Sequence, residues 1–242
     1  MEQNQFIYYL QNRYGFRYLF EYFPKKSYLN FHYFSGMDIS GAKPIFIKMD
    51  GTLGQASQRE AILLQLLNSS TQTKYFPQLI AYEMEGPYPF VAMELLQGIT
   101  LEQLLMQGPS LTYNQKRELL RQMLEILTIL HKTNVIHRDV RPGNMLIQID
   151  GVGNSVKLFL IDFAFSVGLW PNHLPDLPYL LTQPQYLVDL GGANYKPDQF
   201  KWDDAYSFYR SALMIDSNYE NLFPELWNQL YSSINKIIYS HQ

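Results

Sequence analysis

The sequence IHRDVRPGN at residues 136–144, followed by LIDFA at residues 160–164, decides how the rest of this chain is interpreted. Two strand-like pieces, residues 145–149 and 156–161, lie between these stretches. The polar sequence DGVGN at residues 150–154 separates the two pieces, and a polar, glycine-containing turn between such pieces predicts a β-hairpin. The chain is therefore expected to carry two polar motifs in order, joined by a hairpin.

The first motif resembles the catalytic loop of protein kinases, H-R-D-x-x-x-x-N, with each fixed residue in place, and the second is similar to the D-F-G motif. The resemblance implies that Asp139 accepts or orients the proton of an acceptor hydroxyl. It also implies that Asn144 and Asp162 provide oxygen ligands to Mg²⁺, and that Arg141 steadies the transferred phosphoryl group. Phosphoryl transfer depends mainly on positioning two oxygens in line and on neutralising negative charge, which these residue types supply.

The upstream half contains a second part of the resemblance. Residues 45–48, IFIK, look like the V-A-I-K strand of the family, which makes Lys48 the candidate cation for the ATP phosphates. The implied partner is Glu60, in a helix predicted over residues 58–68. Glu60 also suits a capping box with Ser57 as N-cap, so two roles compete for one carboxylate. We favour the ion pair because of the position of Glu60 in the helix.

Two regions of the expected nucleotide site are less regular. Residues 90–95 followed by Gly98 resemble the strand that links the two kinase lobes, and backbone groups near Glu94 and Leu95 are expected to meet the adenine edge. No G-x-G-x-x-G motif lies upstream of Lys48, and the expected position reads FPKKS at residues 23–27. Either Lys25, Lys26 and Ser27 hold phosphates by charge and hydrogen bonding, or this loop is a solvated turn. Ala164 replaces the glycine of D-F-G and leaves the implied metal ligand intact.

The stretch after the second motif also resembles the family. Residues 191–198, GGANYKPD, look like the end of a kinase activation segment, and residues 204–208 look like the start of the helix whose aspartate holds the catalytic loop. Residues 163–200 are rich in Pro, Gly, Leu and Tyr and are predicted to form a long loop, which is usually functional in a compact domain.

The remaining pattern predicts an α+β chain in which strands precede helices. Strands are predicted over residues 28–34, 44–49 and 88–94, and a long helix over residues 113–132, where Thr112 and Gln115 form a capping box. Aromatic residues crowd the first 35 positions and favour an element packed on the core over a membrane-surface helix.

The resemblance then implies a bilobal protein-kinase-like fold. Its small β-rich N-terminal lobe, with one helix, is expected at residues 1–94, and its mostly helical, shortened C-terminal lobe at residues 95–242.

Composition excludes several classes of protein. The 242 residues are 47% hydrophobic and 17% charged, which are globular values, and the net charge of −3 argues against a nucleic-acid partner. The absence of cysteine excludes disulfides and thiolate chemistry. No apolar run reaches the length of a transmembrane segment and the N-terminus lacks a secretory pattern, so a cytoplasmic location is expected.

The sequence thus predicts an ATP- and Mg²⁺-dependent phosphotransferase acting on a hydroxyl acceptor. Protein Ser/Thr is placed slightly ahead, and a glycan or small-molecule hydroxyl close behind because the stretch after Phe208 is short. A third hypothesis is a pseudokinase that binds nucleotide or a partner without catalysis. The complete set of Lys48, Asp139, Asn144 and Asp162 argues against it, and the missing glycine-rich loop keeps it open.

Overall fold

A computed structural model describes most of the protein. The residues that it describes are 3–22, 31–50, 55–70, 75–108, 110–150, 155–171, 173, 176–177, 180 and 184–241. A β-rich N-terminal part is followed by a mostly helical part, so the predicted α+β fold class is confirmed. The last strand of the first part ends at Glu94, and the division of the chain into two domains at this point stays a prediction.

The N-terminal part is built on a five-stranded antiparallel sheet with the order β1-β2-β3-β5-β4. The strands are β1 Arg17–Glu21, β2 His32–Met37, β3 Pro44–Met49, β4 Leu79–Glu83 and β5 Phe90–Glu94. The central strand β3 spans the residues predicted for it, because its apolar residues fit a strand whose two faces are both covered. In this register Lys48 lies opposite Tyr33 of β2 and Val91 of β5.

One face of the sheet is covered by helix α1, Gln3–Tyr14. Phe6 and Leu10 of this helix are fully buried against Ile45 and Ile47 of β3. The Tyr9 and Tyr14 hydroxyls both donate to Glu83 Oε2, at 2.5 and 2.6 Å, and tie the helix to β4. The aromatic N-terminus therefore packs on the core, and α1 is a helix in addition to the one predicted for this part of the chain.

The opposite face is covered by helix α2, Gln55–Ser70. The helix begins before Ser57, so the predicted N-cap at Ser57 is wrong. The backbone N–H of Ser57 instead donates to the Asp50 carboxylate at 2.7 Å, and this acceptor lies outside the helix. Because Asp50 satisfies an N–H of the first turn, Glu60 is not needed for a capping box and is free for another role.

The C-terminal part packs around the long helix α4, Tyr113–Lys132, which has the predicted bounds. Thr112 and Gln115 form the predicted capping box, and apolar residues such as Leu120 and Leu127 are buried in the main core. The other helices bounded within the described residues are α3 Leu101–Gln107, α5 Pro184–Asp189, α6 Asp204–Ile215, α7 Tyr219–Leu222 and α8 Pro224–Tyr231. Among the described helices, none is long and apolar enough to cross a membrane.

Short strands connect these helices. They are β6 Ile99–Thr100, β7 Val135–Ile136, β8 Met145–Ile149, β9 Val156–Leu160, β10 Val167–Gly168, β11 Lys201–Trp202 and β12 Tyr239–Ser240. The predicted hairpin is present as β8–β9, with its turn outside the described residues at 151–154. The segment 163–200 is not entirely loop, because it contains β10 and α5. Strand β10 pairs with β7, which places Val167 opposite Ile136 at the start of the first motif, and β11 pairs with β12.

The burial of α1 leads to a stability prediction. Replacing the fully buried Phe6 by alanine removes a ring that contacts Phe34 and Phe90 and leaves a cavity, so the free energy of unfolding should fall by about 3–5 kcal/mol. Urea denaturation measures this difference. The matched control is Tyr8→Ala on the same helix, where the ring is 70% exposed and the expected change is within about 0.5 kcal/mol. Equal losses in the two variants would contradict the packing of α1 on the sheet.

Candidate active site

A buried lysine joins three distant segments of the chain. Lys48 Nζ lies 2.7 Å from Glu60 Oε2 of α2 and 2.9 Å from Asp162 Oδ1, which follows β9. The side chains of Lys48 and Glu60 are 5% and 1% exposed, whereas that of Asp162 is 36% exposed. The second Glu60 oxygen, Oε1, accepts the backbone N–H of Phe163 at 3.0 Å. The helix, the central strand and the second motif are thereby fixed relative to one another.

The charges of this cluster follow from burial and pairing. Burial alone lowers the pKa of Lys48, but Asp162 and Glu60 raise it by more, and the lysine stays protonated. For Asp162, burial opposes ionisation but Lys48 outweighs it, so the pKa of Asp162 is lowered. Burial raises the pKa of Glu60 despite the neighbouring ammonium. Asp162, the more exposed of the two carboxylates, is thus the one that Lys48 keeps ionised.

Asp139 lies in the first motif and is itself buried. The Asn144 amide donates to Asp139 Oδ2 at 2.7 Å and to its backbone oxygen at 2.9 Å. Arg141 Nε lies 3.1 Å from Oδ1, and the backbone N–H of Gly191 donates to the same oxygen at 3.1 Å. Burial raises the pKa of Asp139 to about 6, with Arg141 acting in the opposite direction. A carboxylate with this pKa is ionised at neutral pH and still able to accept a proton.

The backbone of the first motif is held by Asp204, at the start of α6. Its carboxylate accepts the N–H of His137 at 2.7 Å and that of Arg138 at 3.2 Å, the contact expected for this helix. Burial lowers the pKa of His137 to about 4, so the imidazole is neutral. Its Nε2 lies 3.0 Å from the Ile161 carbonyl and Nδ1 accepts the N–H of Asp139, which assigns the proton to Nε2. His137 therefore links the two motifs.

The residues present suit a magnesium ion shared with phosphate groups. The Asn144 amide and the Asp162 carboxylate offer hard oxygen donors, and the hydrogen bonds of Asn144 to Asp139 use its nitrogen. In the described part of the chain, no group of three or more His, Cys, Asp or Glu residues is placed to hold a metal unaided. This donor set fits Mg²⁺, which typically takes one or two protein ligands and completes its shell with substrate phosphates and water.

The other predicted nucleotide-binding residues are placed less directly. The backbone N–H of Glu94 donates to Gln78 and that of Leu95 donates to Pro44, at 2.9 and 3.0 Å. Any contact of Glu94 or Leu95 with a nucleobase must therefore use other groups, such as their carbonyl oxygens. Lys25, Lys26 and Ser27 lie outside the described residues. The same holds for the turn that would carry a glycine-rich loop.

Sequence reasoning missed an aromatic cluster beside Lys48. Phe46 precedes Lys48 by two residues in β3, so both side chains lie on the same face of the sheet. Tyr33 stacks on Phe46 with ring centroids 5.7 Å apart, and Tyr22 meets it edge-on at 5.8 Å. The alternation of β3 was the available signal, since it places the side chain at position 46 next to the candidate cation.

Known proteins are similar in sequence to much of this chain. A family model described as the protein kinase domain matches residues 44–183. Serine/threonine-protein kinase C of Synechocystis sp. is 34% identical over 147 residues, covering 59% of this chain and 25% of that protein.

Two further relatives come from other groups of organisms. Serine/threonine-protein kinase PknL of Mycobacterium tuberculosis is 30% identical over 125 residues, covering 49% of this chain and 30% of that protein. The phosphorylase b kinase gamma catalytic chain, liver/testis isoform, of Bos taurus is 28% identical over 138 residues, covering 55% of this chain and 30% of that protein. The matched region therefore amounts to no more than 30% of each of these relatives.

The buried ion pair generates a prediction about stability. Lys48→Met leaves Glu60 and Asp162 without their cation, so the free energy of unfolding should fall by about 3 kcal/mol near neutral pH. Burial raises the pKa of Glu60. A carboxyl group whose pKa is raised on folding stabilises the folded state while it is protonated, below its unfolded pKa. It loses this contribution as the pH rises through its folded pKa. The deficit of the variant should therefore shrink as the pH is lowered toward about 5.

Urea denaturation of both proteins between about pH 5 and pH 8 measures this deficit. The control is Lys43→Met, just before β3, where the lysine is exposed and the expected change is within about 0.5 kcal/mol at every pH. A deficit of Lys48→Met that does not vary with pH would contradict the electrostatic explanation.

Proposed function

This chain belongs to the protein kinase family, and we propose on that basis that it transfers the γ-phosphoryl group of ATP to the hydroxyl of a protein Ser or Thr. The observation that carries the proposal is the bridge formed by Lys48, which lies within 3 Å of both Glu60 and Asp162. In protein kinases the lysine–glutamate pair and the D-F-G aspartate have to be in place together for transfer. The assembled cluster supports catalysis over a pseudokinase role.

The proposed reaction gives each residue one task. Lys48 binds phosphate oxygens of ATP, and Asn144 and Asp162 hold Mg²⁺. When bound, this ion neutralises charge on the phosphates. The acceptor oxygen forms a bond to the γ-phosphorus while the bond to the ADP oxygen breaks, and the hydroxyl proton passes to Asp139.

The remaining residues prepare this step. Arg141, whose side chain is half exposed beside Asp139, is available to contact the transferred group as well as the carboxylate. The Asn144 amide fixes the orientation of the Asp139 carboxylate. The neutral His137 holds the two motifs at a constant separation without adding charge to the site.

The names of the relatives support a protein acceptor. Two of the three relatives described above are called serine/threonine-protein kinases, and they match the part of the chain that contains both motifs. The chain spans a minor part of these proteins, so the acceptor is assigned from the matched region alone. We also retain a cytoplasmic location as a proposal, because a chain without cysteine suits a reducing compartment.

The first functional prediction concerns the two aspartates. Asp139→Asn removes the proton acceptor and should lower kcat by about 10²–10⁴-fold, with little effect on nucleotide binding. Asp162→Asn should abolish turnover and also weaken nucleotide binding that depends on Mg²⁺. Transfer of labelled phosphate from ATP to a generic protein acceptor, and separately to a mixture of sugars, measures both effects.

The control variant for this experiment is Glu220→Gln, an exposed carboxylate on α7 outside both motifs, which should leave turnover unchanged. Labelling of sugars without labelling of protein would overturn the proposed acceptor. Nucleotide binding without turnover under any condition would overturn the proposed activity.

A second prediction concerns pH. Since burial raises the pKa of Asp139 to about 6, kcat/KM should be constant above this value and fall tenfold per pH unit below it, as the base becomes protonated. Arg141 lowers this pKa, so Arg141→Gln should move the acidic limb to higher pH, whereas Arg141→Lys should leave it near its original position. Initial rates measured across about pH 5–8 give the pH at which kcat/KM begins to fall in each variant. An unchanged limb in Arg141→Gln would contradict the assignment of Asp139 as the base.

A further inference from the structure

Arg138, the residue directly before Asp139, is anchored in a buried site. Its side chain is fully buried, and its two terminal nitrogens lie 3.0 and 2.6 Å from the two oxygens of Asp176. Its Nε donates to the Phe165 carbonyl at 2.6 Å. The bidentate geometry uses both oxygens of a carboxylate that is itself only 5% exposed. The guanidinium of Arg138 is thus paired with the carboxylate of Asp176.

Strand β12 completes this site from the far end of the sequence. The Tyr239 hydroxyl donates to Asp176 Oδ2 at 3.2 Å, and His241 Nδ1 lies 3.3 Å from the same oxygen. Tyr239 pairs with Trp202 across the β11–β12 ladder. The guanidinium carbon of Arg138 lies 5.4 Å from the Trp202 ring and 5.0 Å from the Tyr239 ring, which are cation–π distances. We call Arg138, Asp176, Trp202 and Tyr239 the arginine clamp.

The clamp holds a residue whose backbone is strained. Arg138 has a φ of +67°, a conformation that costs a non-glycine residue about 1–3 kcal/mol and persists only when its surroundings enforce it. The backbone N–H of Arg138 is held by Asp204, and its guanidinium is held by Asp176. Asp139 follows directly, so both anchors determine where its carboxylate lies. Because the guanidinium is fully buried, a lost carboxylate cannot be replaced by water without opening the site.

We propose that Asp176 and Tyr239 are positioning residues for the transfer reaction, and that strand β12 acts on Asp139 through the arginine clamp. The proposal rests on the proposed function, since it assigns Asp139 as the base. Neither residue is expected to touch ATP or the acceptor. Both act by fixing the one conformation of Arg138 in which Asp139 faces Asn144 and Arg141. Because Asp176 itself supplies the carboxylate, the arginine clamp forms without covalent modification of any residue.

The test compares two variants with the wild type. Asp176→Asn keeps the shape of the side chain and removes its charge, so kcat should fall by about 10²-fold as the base loses its position. Tyr239→Phe keeps the ring over the guanidinium and removes one hydrogen bond, so kcat should fall by about fivefold. In both variants KM for ATP should stay within about twofold, because the Lys48–Glu60 pair is untouched.

Each variant has a matched control. Asp216→Asn removes an ion pair with Lys116 that joins the start of α4 to the end of α6. Tyr231→Phe removes the hydroxyl of a tyrosine that is 58% exposed. Both controls should keep wild-type kcat. If Asp176→Asn and Tyr239→Phe also keep wild-type kcat, the proposal is overturned. It is equally overturned if their losses are matched by Asp216→Asn at the same drop in melting temperature, since that result reflects general destabilisation.

A readout that needs no turnover separates this proposal from the activity itself. Amide hydrogen exchange of residues 135–141, followed by mass spectrometry, reports the bonds from His137 and Arg138 to Asp204. The clamp predicts faster exchange in Asp176→Asn and Tyr239→Phe and unchanged exchange in the two controls. A wild type without phosphotransfer would defeat the proposed function, and this exchange pattern would still decide whether β12 controls the motif. Unchanged exchange in all variants would overturn the clamp.

Discussion

The buried ammonium of Lys48 is the constraint on which the rest of the structure depends. A lysine at this depth is stable only beside compensating carboxylates, and the two that it meets come from α2 and from the residues after β9. Satisfying one charge therefore requires the central strand, the helix and the second motif to adopt one relative position. Glu60 adds a further constraint on the second motif, because it also accepts the backbone N–H of Phe163. The charge cluster is thus both the proposed phosphate site and the joint between two parts of the chain.

A second set of constraints acts on backbone conformation near the motifs. Arg138 and Asp162 both have positive φ, at +67° and +69°, although neither is glycine. Arg138 is held by Asp204 and Asp176, and Asp162 is held by the ammonium of Lys48. Gly191 also has positive φ, and an added Cβ there would lie 2.7 Å from the Arg138 carbonyl oxygen. Only glycine permits this close approach, which brings the Gly191 N–H to the Asp139 carboxylate. Within the two motifs, the non-glycine residues with positive φ are thus next to a candidate catalytic group or part of one.

Local sequence patterns predicted those helices and strands whose defining residues lie within the helix or strand itself. The bounds of α4 followed from its capping box and apolar spacing, and β3 and β8 also have their predicted bounds. The N-terminus of α2 was misplaced because Asp50, in a different segment, bonds its first turn in place of Ser57. Strands of two residues, such as β11 and β12, carry too little pattern to be detected. Lys48 and Glu60 were paired in advance only through the resemblance, the contact of Lys48 with Asp162 was not predicted, and Asp176 had no motif to mark it.

The difference between Asp204 and Asp176 shows why only part of the site could be predicted from the sequence. Both aspartates hold the residue before Asp139, one through its N–H and the other through its guanidinium. Asp204 begins a helix, so its position relative to the backbone is set by local geometry and can be anticipated. Asp176 lies outside the helices and strands described, and its contact with Arg138 depends on Tyr239 and on the aromatic wall shared with Trp202. A contact that requires four segments to meet is a property of the folded chain, and it connects strand β12 to the residue before Asp139, the proposed base.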